Sequence, residues 1–217
     1  MKLLDGSFSL AFDKRASGKL TTALVAETSK AIVKTLNKNQ KAITSYVRSL
    51  ARANLMDSPE VKSIMDENGK LRIELGVING DSDIVKIVDE IISKTNVSVI
   101  KSGTPAQEIV IEIKTYIEAE YIDFYSKTYS SYITNSGTQV EWLSWLLEAG
   151  NTDVVFGYQI KYGVDIGRTG EAIMLPSKTA NWRVPPEFSG VSDNNFVTRS
   201  FANIDKELLK FIGGLLQ

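Results

Sequence analysis

Between Gly18 and Pro59 the chain holds neither glycine nor proline, so no residue in that stretch is bound to stop a helix. Leu20, Leu24, Ala31, Val33, Leu36, Ile43, Val47 and Leu50 recur close to the helical period, with Lys, Glu, Thr and Gln between them. The spacing predicts a long amphipathic helical arm over 19–55. A break near the polar Asn37-Lys38-Asn39-Gln40 segment is expected, because an unbroken helix of that length exceeds the usual globular one. Ser58-Pro59 then opens a new short element, with proline in its first turn and Glu60 behind it.

The rest of the pattern is mixed. Asp66–Gly69 reads as a turn, and the alternation of Leu71, Ile73, Leu75 and Val77 predicts a half-buried strand. After a turn at Asn79–Ser82, a helix capped by Asp81 or Ser82 buries Ile84, Val85, Ile87, Val88, Ile91 and Ile92. Val97 and Val99, then Ile109, Ile111 and Ile113, mark extended segments split by Gly103-Thr104-Pro105. Residues 115–134 fit two readings, since Tyr121, Tyr125, Tyr129 and Tyr132 sit at helical spacing while the Tyr, Ile, Thr and Phe content favours strand.

Thr138-Gln-Val-Glu141 has the form of a capping box before a short helix through Trp142 and Leu147, ended at Gly150. Strands follow at Val154–Tyr162 and Glu171–Leu175, then an irregular aromatic connection over Pro176–Pro186. Ser192 or Asp193 caps a final helix that Gly213-Gly214 ends. No repeat, low-complexity tract or linker divides the chain. The expected fold is a single α+β domain over 1–217, a small mostly antiparallel sheet packed by helices in a 70–217 body, with the long N-terminal helical arm.

Composition removes several chemistries. Among 217 residues there is no cysteine and no histidine. That excludes thiolate nucleophiles, disulfides, Cys-ligated metals, the Ser-His-Asp triad and imidazole acid–base work. A net charge of −1 argues against a broadly basic nucleic-acid face. The N-terminus lacks the apolar core of a signal peptide, and no apolar run reaches the roughly 20 residues of a membrane span. Synthesis and assembly in a cytoplasm are expected, with no membrane partner.

The candidate chemical motifs are weak. Gly163–Gly170 matches neither GxxxxGK[ST] nor GxGxxG and joins two strands, so it reads as a hairpin loop carrying Arg168. Glu112, Glu118, Glu120 and Asp123 cluster in sequence; a carboxylate-dependent hydrolase would need two of them facing one cleft, about 5–10 Å apart, whereas acids between apolar residues more often mark a solvent face. Asp81-Ser82-Asp83 lacks the further ligands of a calcium loop. Trp142 and Trp145 share one helix flank, and at least one should be core. Trp182, with Arg183, Pro185 and Pro186, makes either a contact surface or a plug over the domain's own sheet. No catalytic, cofactor or metal residues are assigned.

Four motifs in order carry a resemblance: Val140-Glu-Trp-Leu-Ser-Trp-Leu-Leu-Glu-Ala-Gly150, Gly167-Arg-Thr-Gly170 with Ala172-Ile-Met174, Trp182-Arg-Val-Pro-Pro-Glu-Phe-Ser-Gly190, and Asp193-Asn-Asn-Phe-Val-Thr-Arg199. Over about 138–200 the chain resembles the neck or tail-completion proteins that join head and tail in tailed bacteriophages. The resemblance implies a non-enzymatic virion subunit without cofactors, a homo-oligomeric ring between the phage connector on the portal side and the tail proteins, with DNA only passing through its channel. It also implies that Arg168, Thr169 and Gly170 shape a loop, that Trp182 to Pro186 brace it, and that Asn195 and Arg199 hold the start of the last helix. A tail terminator or head-side stopper is the neighbouring reading. A carboxylate-dependent cell-wall hydrolase and a cytoplasmic adaptor are the readings of a different class.

Overall fold

A computed structural model describes residues 6–11, 19–102, 108–115, 123–163, 165–202 and 204–217, with backbone alone at 6–11, 19–23, 101–102 and 108. The long helical stretch is two helices, α1 (Lys19–Lys38) and α2 (Gln40–Asp57), and the expected break falls at Asn39. Helical bonding nearly continues across it. Asn39 N–H donates to the Thr35 and Leu36 carbonyls, and Ile43 N–H donates to the Asn39 carbonyl. Ile43, Val47, Ala51 and Leu55 recur every four residues and form the buried seam of α2. Each of the larger three contributes roughly 1.5–3 kcal/mol by leaving water.

Ser58 caps α3 (Pro59–Met65), its Oγ accepting from Val61 N–H at 3.4 Å. The predicted strand at 71–77 is instead a helix, α4 (Lys70–Leu75). Leu71 and Leu75 satisfy both a period of two and an i,i+4 pair, so four apolar positions could not separate the readings. The buried residue between them, Glu74, belongs only to the helical one. Gly76 ends α4 at φ +68, and Val77 N–H returns to the Arg72 carbonyl.

Helix α5 (Gly80–Lys94) buries Ile84, Ile87, Val88 and Ile91 of the six expected residues, while Val85 and Ile92 are half-buried. Its N-cap position is Asn79, so Asp81 and Ser82 lie inside the first turn and neither is the cap. Strands β2 (Asn96–Ser102) and β3 (Glu108–Lys114) pair antiparallel, and β1 (Gly6–Ala11) adds to the other edge of β3. The register sets Val97 against Ile113 and Val99 against Ile111. Val97, Ile109, Ile111 and Ile113 are buried, while Ser98, Glu112 and Lys114 occupy the other face.

In the Tyr-rich stretch, 116–122 lie outside the described residues, 123–126 form one helical turn, and β4 (Tyr132–Ile133) pairs with β5 (Gln139–Val140). Thr138 closes that hairpin, its carbonyl accepting from Thr134 N–H at 2.9 Å, so it caps no helix. The position before α6 (Trp142–Glu148) is Glu141, whose side chain makes no capping bond. Gly150 ends α6 as expected, at φ +57. Strands β6 (Tyr158–Tyr162) and β7 (Ala172–Pro176) form a hairpin, and of the expected 154–162 strand only its second half is ladder, with Val155 bridging to Trp182.

The single final helix is two: α7 (Phe196–Ala202) and α8 (Asp205–Leu215). Asn195 caps α7 in place of Ser192 or Asp193, its Oδ1 accepting from Val197 and Thr198 N–H at 3.0 Å. Gly213 and Gly214 lie within α8. Helix α2 is the hub, packing on α3, α5, α7, α8 and β2. Buried apolar residues from Leu36 to Ile212 make one continuous cluster. The architecture is α+β, with three small antiparallel sheets among the described residues and an arm whose second half is core.

Candidate functional site

An open cleft of about 930 Å³ lies between α4, the β4–β5 hairpin and the β6–β7 hairpin, where several of the sequence motifs meet. Ile73, Val140, Val155, Ile160 and Met174 give it an apolar lining, and Thr134, Asn135, Ser136 and Thr138 line one polar side. Glu74 lines the cleft, with its carboxylate divided between two neutral donors. Trp182 Nε1–H donates to Oε2 at 3.0 Å and the Tyr162 hydroxyl donates to Oε1. Burial and this bond to Glu74 push the Tyr162 phenol well above its usual pKa, so it remains a donor at neutral pH.

Trp182 is buried and stands 5.6 Å from Trp145, ring centroid to centroid, with the planes tilted by 55°. Its backbone N–H donates to Val155 O at 2.8 Å. Of the two readings of the Trp182 segment, the geometry favours the internal plug. Pro185 is buried with it, whereas Arg183 and Pro186 are exposed. Trp142 is core and Trp145 half-buried.

Arg168 stands on the 163–171 loop between β6 and β7. Its Nε donates to Gly76 O at 3.1 Å and its Nη1 to Ile133 O at 3.2 Å, while the guanidinium lies 3.8 Å over the Tyr132 ring. One side chain thereby joins three segments that are far apart in sequence. Gly167 makes the loop's sharp return at φ +75, where a Cβ would meet Ala172 O at 1.7 Å. Gly170, also at positive φ, receives the Ile166 N–H on its carbonyl, and the Thr169 hydroxyl oxygen is buried without a hydrogen-bond partner among the described residues.

Asn195 and Arg199 sit apart from this cleft, at the start of α7. Asn195 also donates to Leu147 O and Val191 O, both at 3.1 Å. Arg199 pairs with Glu60 of α3 and reaches Asn194. Burial raises the Glu60 pKa above its usual range, with the Arg199 charge opposing that shift.

The acids singled out in sequence do not converge among the described residues. Glu112 accepts from Ser98 and pairs with Lys114 at 3.1 Å, and Asp123 pairs with Lys127 at 3.6 Å. Glu118 and Glu120 lie outside the described residues. Asp83 pairs with Lys86 at 3.2 Å, and no group of three potential metal ligands occurs among the described residues. Within the same limits, no helix is long and apolar enough to cross a membrane.

Glu74, Tyr132 and Tyr162 were missed by sequence reasoning. Their partners are Trp182, Arg168 and Glu74 again, and no local spacing rule connects positions so distant. The cleft has the means to grip an apolar or aromatic side chain against a hydroxyl-bearing rim. No protein-family model matches the chain, and neither a curated protein nor a solved structure matches it.

Proposed function

We propose that this protein is a structural subunit of the head–tail junction of a tailed bacteriophage, a neck or tail-completion protein that works as a homo-oligomeric ring between connector and tail. The observation that carries the reading is the ordered motif series over 138–200. Its residues are spent on shaping surfaces: Arg168 holds two hairpins to α4, Trp182 braces Glu74 and Trp145 of the cleft lining, and Asn195 and Arg199 fix α7.

The surface around the cleft supports it. Phe156 is 71 % exposed and Ile133 67 %, and Tyr158, Tyr162 and Ile173 expose further apolar area nearby. Aromatic and apolar residues gathered beside a concave surface suit contact with neighbouring subunits. The carboxylate of Glu74 in the cleft lining is satisfied by two neutral donors, an arrangement suited to holding shape.

Mass spectrometry of purified virions, from the phage whose genome encodes the chain, is the test. The expected result is the protein in stoichiometric excess over single-copy components, with antibody label at the head–tail junction. Absence from purified particles ends the proposal. Label beneath the connector, or at the tail's upper end, separates a stopper or a terminator from a completion ring.

A further inference from the structure

The net charge of −1 conceals a strong asymmetry. Residues 19–57 carry seven lysines and arginines against two acids, a local net charge of +5, which leaves −6 for the rest of the chain. Six of those cations, Lys30, Lys34, Lys38, Lys41, Arg48 and Arg52, recur at three- or four-residue steps or their sum. That spacing keeps them on one face of the nearly continuous α1–α2. The buried seam of Leu36, Ile43 and Val47 takes another face. At 1.5 Å per residue the stripe is about 33 Å long.

Among the described residues, the middle of the stripe has no internal counter-charge. Lys34, Lys38 and Lys41 are exposed and have no ion pair or hydrogen bond among the described residues. Arg48 is held by neutral groups, with Nε to Thr95 O at 2.8 Å and Nη2 to Ser93 O at 2.9 Å. The nearby acids are already engaged: Glu27 with Lys30, Asp89 with Arg52 and Glu112 with Lys114. Lys41, Arg48 and Lys114 line an open groove of about 720 Å³ whose remaining walls include Thr44, Ser45 and Asn96 and contain no acid.

We infer that this stripe and groove bind duplex nucleic acid through its phosphates. Evenly stepped cations on long flexible stems match a linear polyanion of regular charge; the lysines offer no fixed fork for reading bases, and the two arginine forks are engaged within the protein. A membrane surface fits less well, because the apolar face of α2 that would enter lipid is already buried in the protein core. The inference rests on charge placement alone and stands or falls independently of the phage reading.

The test is fluorescence anisotropy of a labelled 20-base-pair DNA with the full chain between 50 and 200 mM NaCl. Four cations without carboxylate partners predict a log–log salt slope of about −3.6 and an affinity loss of about 150-fold over that range. Lys34→Gln/Lys38→Gln/Lys41→Gln should weaken binding at 50 mM by more than about tenfold and bring the slope to about −0.9. Lys41→Gln alone should make the slope shallower by about 0.9. Lys161→Gln/Lys178→Gln/Arg183→Gln removes as much charge from exposed positions in the second half and should leave binding unchanged. No binding at 50 mM, wild-type behaviour of the 34/38/41 variant, or equal loss in the control variant overturns the inference. So does binding to phosphatidylserine vesicles without binding to DNA.

Discussion

The α1–α2 arm and the cleft of the second half use charged residues in opposite ways. Around the cleft and α7, the conspicuous charges turn inward: Glu74 to Trp182 and Tyr162, Arg168 to two carbonyls and a ring, Arg199 to Glu60. Along the middle of the arm they turn outward, and Lys34, Lys38 and Lys41 touch no partner among the described residues. Charges committed to the protein stabilise its shape, whereas uncommitted ones remain free for something else. The contrast implies that substitutions in the second half should act on stability, and those in the arm on binding.

The largest effect should come from Trp182→Ala. It empties a buried aromatic site beside Trp145 and removes one of the two donors on Glu74. A loss of about 3–5 kcal/mol in urea unfolding is expected. A loss under 1 kcal/mol would return Trp182 to the role of an outward contact residue.

Arg199→Met should cost about 2–3 kcal/mol at neutral pH, less than a fully buried pair because Arg199 is 45 % exposed while Glu60 is 1 % exposed. The pH dependence has a definite sign. Burial raises the folded-state pKa of Glu60 above its usual 4.5, so folding binds its proton more tightly. Stability from this group is therefore lost as pH rises from 4.5 through the raised value, and more is lost without Arg199. The deficit of the variant should narrow as pH falls toward 4.5, which unfolding at a series of pH values would read. A constant deficit would mean that packing, not charge, binds α7 to α3.

Gly167→Ala should cost more than about 1 kcal/mol, since φ is +75 and the added carbon meets backbone at 1.7 Å. Hydrogen exchange should show the loss concentrated in the β6–β7 hairpin. The smallest effect belongs to Lys34→Gln/Lys38→Gln/Lys41→Gln, within about 0.5 kcal/mol of wild type in the same unfolding assay. A larger loss would erase the difference between the two regions.

The sequence announced elements whose signals were local and redundant. The break at Asn39, the Ser58-Pro59 start, the β2–β3 hairpin and the exit at Gly150 each followed from propensity and periodicity agreeing. Residues 71–77 misled because four apolar positions are too few to separate two periods. The missed caps have another cause: Thr138 and Asp193 are chemically suitable, but the backbone beside Asn195 and Glu141 sets where the helices begin. The candidate site was half legible. Arg168 and Trp182 stood out by type, yet Glu74 and Tyr132 acquire meaning only through partners that the fold delivers. The lysine stripe was overlooked for the reverse reason, since regular charge on a helix reads as an ordinary solvated face and the whole-chain balance cancels it.

The packing of α8 on the arm has a consequence for how the chain is made. Tyr46 stacks on Phe211 of α8 at 4.3 Å, while the preceding helix α7 is tied to the arm by Asn54, which donates to Ser200 O at 2.9 Å. The apolar seam of α2 is thus complete only after residues 205–215 have left the ribosome. Until then its uncovered side is available to chaperones or to a wrong neighbour. Chains truncated after Ala202 should be cut by protease within α2, while the full chain should resist.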